Sequence, residues 1–106
     1  MSYQANHSGG LDFIEFVKEH KCCVLGCKAL DVDADHLKTI GMGRDRKKPE
    51  LIEHYSCIPL CRKHHTERHQ IGNRKFEEKY DTNLWYENRT LLVKWIIREF
   101  ITHEFY

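Results

Sequence analysis

The chain has 106 residues, with 17 Lys and Arg against 16 Asp and Glu and a formal net charge of +1. That length fits one domain with a thin core, burying about 60–70% of the surface its unfolded chain exposes. The balance of charge gives no global basic field that would announce a nucleic-acid partner, and no stretch approaches the roughly 18 apolar residues of a membrane span.

Residues 1–10 are polar, carry no basic segment leading into an apolar run, and end in Gly9-Gly10; a flexible N-terminus without a secretory signal is expected. Leu11 to His20 predicts a short helix, with Leu11, Ile14 and Val17, joined by Phe13 and Phe16, tracing a broad face for the core. Cys22 to Cys27 predicts a tight turn, since Gly26 just before a cysteine suits a metal knuckle. Ala29 to His36 alternates weakly and is a strand candidate. Leu37 to Glu53 predicts a loop, punctuated by Gly41, Gly43 and Pro49. It holds the basic cluster Lys38, Arg44, Arg46, Lys47 and Lys48, which suits either a nucleic-acid-facing loop or a solvated surface.

Tyr55 to Leu60 is the second strand candidate, with Pro59 marking its end. Cys61 to Gln70 predicts a helix that Gly72 closes. Asn73 to Tyr80 predicts another short amphipathic helix, followed by a turn at Asp81-Thr82-Asn83. Asn88 to Glu104 is the longest helical stretch, with a stripe of Leu91, Leu92, Trp95, Ile96 and Phe100 directed at the core. Trp85, Tyr86, Trp95, Phe100 and Tyr106 are much aromatic surface for so small a protein, so a homodimer through this C-terminal helix stands beside a monomer. Further charges gather at Arg62, Lys63, Arg68, Arg74 and Lys75 and, with opposite sign, between Asp31 and Asp35. His20, His54 and His103 read as exposed.

The five cysteines fit a cytoplasmic protein whose reduced thiols argue for metal rather than disulfides. Cys22 and Cys27 supply one knuckle, and Cys61 and His64 a second, together a Cys3His set of the kind that closes around a structural zinc. Cys23 would serve almost as well as Cys22. Cys57 lies in the middle of an apolar strand and reads as a core thiol, with substitution as a ligand the alternative. A second group joins Asp35 to His65 and His69, two imidazoles on one helical face opposite a carboxylate. Three ligands leave coordination positions open, as a catalytic ion requires. His36 follows Asp35, and a neutral imidazole there is suited to take a proton from water near neutral pH. A regular strand would send it to the side opposite Asp35; a local turn would aim it at the substrate.

The knuckle cysteines, Asp35-His36, the run Ile58-Pro59-Leu60-Cys61 and the spacing of Cys61, His64, His65 and His69 together resemble the HNH, or His-Me finger, endonucleases over Cys22 to Tyr80. Gly41-Met42-Gly43, Ile58 to His69 and Phe76-Glu77-Glu78-Lys79-Tyr80 are more closely similar to small phage and prophage HNH proteins, some of them linked to recombination. The resemblance implies an α+β fold in a single domain over 1–106. Its zinc-stabilised ββα-metal core would span 22–80, with an N-terminal helix before it and a helical extension over 84–106. It further implies a one-metal DNA endonuclease in which Asp35, His65 and His69 hold a divalent ion (Mg2+ or Mn2+, or alternatively Zn2+ or Ni2+). His36 would be the general base, and Arg44, Arg46, Lys47 and Lys48 would approach DNA. Ser56 occupies the position where the family often has an asparagine that orients the base. That departure supports the rival reading, a catalytically inactive zinc-stabilised nucleic-acid-binding module.

Overall fold

The computed structural model describes residues 9–38 and 51–101. Among them the elements run α1 (Gly10–Lys18), β1 (Asp33–His36), a 3-10 turn (Ile52–Ser56), β2 (Cys57–Leu60), α2 (Arg62–Ile71), α3 (Asn73–Tyr80) and α4 (Leu84–Ile96), which passes into a π-helical turn (Ile97–Ile101). The fold is α+β, with β1, β2 and α2 forming a ββα unit. Arg44, Arg46, Lys47, Lys48, the Gly41-Met42-Gly43 run, His103 and Tyr106 lie outside the described residues. No helix among the described residues is long and apolar enough to cross a membrane.

β1 and β2 pair antiparallel, with Asp33 opposite Leu60, Ala34 opposite Pro59, Asp35 opposite Ile58 and His36 opposite Cys57. The Leu37 N–H donates to the Ser56 carbonyl at 3.1 Å, which places the bonded pairs at every second step. Ala34 and Pro59 therefore form a non-bonded pair, and proline's missing N–H lies on the edge away from β1. Pro59 thus sits inside β2 and does not end it. On that outer edge its carbonyl accepts the Cys23 N–H at 2.9 Å.

All four residues of β2 are buried, because the strand separates two apolar clusters. Ile58 and Leu60 pack with Cys22, Val24, Cys61, Phe76 and Leu84. Cys57 belongs to the other cluster, with Phe13, Phe16, Val17, Leu91 and Trp95. It is a core thiol away from the knuckle. The strand begins two residues later than the expected Tyr55, since Tyr55 and Ser56 are spent on the 3-10 turn.

α1 turns Gly10, Phe13, Phe16 and Val17 inward, while Leu11 and Ile14 are only half-buried. Its first residue must be small, because a Cβ on Gly10 would fall 2.6 Å from the Cβ of His54. α2 ends as expected at Gly72, whose φ of 87° is open to glycine and whose N–H donates to the Arg68 carbonyl at 2.9 Å. α4 begins four residues before the expected Asn88. The cap is Asn83, whose side chain accepts the Tyr86 N–H at 3.0 Å. Asn88 instead points inward from mid-helix and donates to the carbonyls of Tyr55 (2.8 Å) and Cys57 (3.0 Å), pinning α4 to the start of β2.

Candidate active site and metal centres

The knuckle loop and the start of α2 converge on four ligand atoms. One atom each from Cys22, Cys27, Cys61 and His64 lie within 4.8 Å of one another. Gly26 makes the reversal between Cys22 and Cys27 at φ 84°, and the Cys27 N–H returns to the Val24 carbonyl at 3.0 Å. The Cys27 and Cys61 sulfurs are 3.8 Å apart, and His64 Nδ1 lies 3.5 Å from the Cys22 sulfur and 3.1 Å from that of Cys61. A tetrahedral zinc with ordinary bond lengths would set S···S edges of about 3.8 Å and S···N edges of about 3.6 Å. These residues can therefore hold a structural metal with little movement.

Their protonation is uneven. Burial pushes the Cys22 thiol up to about 11, whereas the Ala29 backbone N–H, ahead of contacts from Cys22 and Cys61, lowers that of Cys27. Burial also lowers His64, with Lys63 adding to it, so the ring is offered in its neutral, metal-binding form. Cys23 is outside this cluster. Its sulfur is pushed up to about 12 by burial, and its backbone is committed to β2.

The second group lies on the other side of α2. Asp33 and Asp35, two apart along β1, share one face, the face turned toward α2. Asp35 is 1% exposed. Its Oδ1 lies 3.3 Å from His65 Nε2 and 3.3 Å from His69 Nε2, and the three ligand atoms fall within 4.8 Å of one another. His65 Nδ1 lies 2.8 Å from Asp33 Oδ2, a contact that fixes the ring and, with an ion bound, would leave Nε2 as the ligand atom beside Asp35. Such carboxylate–histidine pairing behind a ligand nitrogen is typical of metal sites. The cluster is open on one side, since the His69 side chain is 57% exposed.

Two residues that composition alone had placed in surface charge clusters are part of this site. Arg68, only 7% exposed, grips Asp35 with both arms, Nε to Oδ2 at 2.5 Å and Nη2 to Oδ1 at 2.9 Å. It also donates to Asn73 Oδ1 and to the His36 carbonyl at 3.3 Å. Asp33 receives Arg62 Nε at 3.2 Å besides His65. The signal for both was positional: Asp33 is two residues from Asp35 on a strand, and Arg68 is one helical turn from His65.

His36 ends β1 in regular register, so its ring leaves the strand on the face opposite Asp35. There it meets His54, with His36 Nε2 and His54 Nδ1 3.0 Å apart. His54 is 0% exposed, against the expectation of an exposed residue. Ser56 does not supply the orienting contact expected of it. Its hydroxyl donates to the Glu53 carbonyl at 2.7 Å and accepts the Lys38 N–H at 3.2 Å, which ties down the 3-10 turn and leaves no bond to the His36 ring. His20 is likewise half-buried, its Nδ1 donating to the Phe16 carbonyl at 2.8 Å.

The family model described as "Putative HNHc nuclease" matches residues 6–96, a span that contains every residue of both clusters. No curated protein and no solved structure matches the chain. The chain belongs to the HNHc nuclease family.

Proposed function

We propose that the protein is a metal-dependent DNA endonuclease that hydrolyses phosphodiester bonds at Asp35, His65, His69 and His36. The observation carrying this reading is the convergence of Asp35 Oδ1 with two imidazole nitrogens, each at 3.3 Å, on an open face of a nuclease-family fold. A divalent ion bound there, Mg2+ or Mn2+ in the first instance, supplies a Lewis acid for the scissile phosphate and for charge on the leaving 3′ oxygen. Asp33 and Asp35 are already balanced by Arg62 and Arg68, so the loaded site presents uncompensated positive charge to an anion such as phosphate. His65 is held in the ligating tautomer by Asp33. His36, the last residue of β1 and so at the open end of the strand, is the base in this reading: it takes the proton of a water that attacks from that end rather than from the Asp35 face.

Zinc in the Cys22, Cys27, Cys61 and His64 cluster holds the N-terminus of α2 against the knuckle loop. Arg44, Arg46, Lys47 and Lys48 reach the DNA backbone, and the exposed stripe of Tyr86, Val93, Ile97 and Ile101 on the C-terminal helix offers a surface for a second copy. A phage or prophage setting belongs to the same reading. An inactive zinc-binding module has no use for a second, open ligand cluster on the far side of the same helix, which favours the enzyme.

The test is cleavage of supercoiled plasmid by the zinc-loaded protein with Mg2+ or Mn2+, against His36→Ala. Cutting is expected from the parent and a loss of about 100-fold or more from the variant, with zinc content and melting unchanged. Parent-like cutting by His36→Ala removes His36 as base. No cutting by the parent on plasmid, linear, single-stranded or branched DNA with either ion removes the nuclease assignment.

A further inference from the structure

Trp85 and Tyr86 are 48% and 54% exposed, whereas every other described aromatic side chain is buried or half-buried. The two adjoin in sequence and open, with Asn83 and Arg89, on one groove of about 320 Å3 along the outer side of α4. That volume lies at the lower end of small-ligand sites, about 300–1,000 Å3.

Helix geometry gathers these groups. At about 100° per residue Arg89 falls between Trp85 and Tyr86 around the axis, and helical side chains lean toward the N-terminus. The Arg89 guanidinium accordingly lies 5.2 Å from the centre of the Tyr86 ring, and it forms no ion pair among the described residues. Asn83 caps the helix through its side-chain oxygen, which accepts the Tyr86 N–H at 3.0 Å, so its NH2 group remains a donor. Each of the four side chains can donate a hydrogen bond to a ligand, and no carboxylate lines the groove. Two flat apolar faces, an unpaired cation and a set of donors match a flat ring that carries acceptors and is joined to an anion. A nucleotide has that chemistry. Its base must be unpaired, because the faces of a base in a duplex are covered by its neighbours, while those of a single strand are open to stack on aromatic rings. Tyr86 also heads the exposed stripe that runs to Ile101. Trp85 and Arg89, one helical turn apart, stand beside that stripe and belong to the groove alone.

We propose that this groove binds an unpaired nucleotide of a single DNA strand: the base stacks on Trp85 and Tyr86, and Arg89 meets the adjoining phosphate. The proposal rests on the nuclease reading for its polymer and extends that reading to the form of the substrate, a DNA that carries an unpaired stretch.

The experiment uses zinc-loaded protein without added Mg2+ or Mn2+, so that binding is read without cutting. The chain has two tryptophans, and Trp95 is 3% exposed, so quenching of indole fluorescence by a short oligothymidylate reports on Trp85. Quenching is expected in the parent. Trp85→Ala should weaken binding of a dye-labelled oligothymidylate, followed by anisotropy, about 5–150-fold, the range for stacking one base on an aromatic ring. Trp85→Phe should recover most of that loss, and affinity for a blunt duplex should be the same in parent and Trp85→Ala. Arg89→Ala should reduce the slope of log K against log salt by about 0.7, the share of one phosphate in a single strand. Parent-like oligothymidylate binding by Trp85→Ala overturns the proposal, and so does an equal loss on duplex and single strand. Self-association of the parent that Trp85→Ala abolishes, with no quenching by oligothymidylate, gives the groove to a second copy and overturns it too. Tighter binding of an oligouridylate assigns the groove to RNA instead. If Trp85→Ala does not fold, quenching in the parent and the salt slope of Arg89→Ala decide. A parent that binds oligothymidylate yet cuts no DNA strikes the nuclease reading and leaves the groove; one that cuts plasmid but shows no quenching strikes the groove alone.

Discussion

Replacing Arg68 by methionine, which keeps an unbranched apolar stem and removes the charged head, isolates the pair it makes with Asp35. Asp35 is 1% exposed and Arg68 7%, and two of the guanidinium's bonds go to the one carboxylate, at 2.5 and 2.9 Å. Removing one partner of a buried pair leaves an uncompensated charge and costs about 3–5 kcal/mol. For a domain of this size each kcal/mol moves the melting point by about 4–8 °C, so a fall of roughly 12–40 °C is expected. The loss should be partly reversible. A divalent ion held by Asp35, His65 and His69 replaces the missing positive charge, and at one hundred times its dissociation constant it adds about 2.7 kcal/mol. The assay is thermal unfolding followed by circular dichroism on zinc-loaded protein, with and without Mn2+. Arg68→Met melting within about 3 °C of the parent would refute the buried pair. Equal Mn2+ stabilisation of parent and variant, in a variant that has dropped as expected, would refute the link between that pair and the ion.

Three further outcomes are expected. Cys61→Ser should lose zinc and cooperative unfolding together, because ligation and folding are coupled in a small metal domain; a full complement of zinc with an unshifted melting point would reassign the cluster. Asp33→Asn should weaken Mn2+ binding about 10–100-fold, measured by titration calorimetry, through loss of the carboxylate that holds His65, and unchanged affinity would make that contact incidental. The apparent zinc affinity should climb with pH across the neutral range. The Cys22 thiol, pushed up to about 11, must give up a proton to bind, whereas His64, lowered by burial, is already neutral there. Competition for zinc by a chelating dye at several pH values should therefore show no separate break near the ordinary imidazole value of about 6.5, and such a break would place His64 among ordinary imidazoles.

The ligand clusters were legible because metal sites write their geometry into spacing. A spacing of four from His65 to His69 makes one helical face, and a spacing of three from Cys61 to His64 brings both to the knuckle. The same holds for α3, whose bounds Asn73 and Tyr80 follow directly from its apolar period and flanking turns. What stayed hidden are side chains whose partners lie far along the chain. His54 is buried by α1 and by His36, and nothing within a few residues of it says so. Asn88 reads as the start of the long C-terminal helical stretch, yet it lies mid-helix and its amide serves two carbonyls over thirty residues away. Ser56 matched a motif position, but the 3-10 turn it stands on needs its hydroxyl for backbone groups. Pro59 misled for a subtler reason: whether a proline stops a strand depends on which edge its nitrogen faces, and only the register with Ala34 decides that.

α2 meets both clusters within its first eight residues, with His64 and His65 adjacent, about 100° apart around the helix axis. Clamping His64 and the preceding Cys61 to the knuckle therefore sets the rotation of the helix, and with it the bearing of His65, Arg68 and His69 toward β1. A turn of even 10° would carry an imidazole nitrogen several ångströms from the axis about 1 Å sideways, a displacement large enough to matter for positioned chemistry. A metal held at the knuckle would in this sense be a set screw: it would touch no reacting atom, yet fix the angle at which His65, Arg68 and His69 face β1.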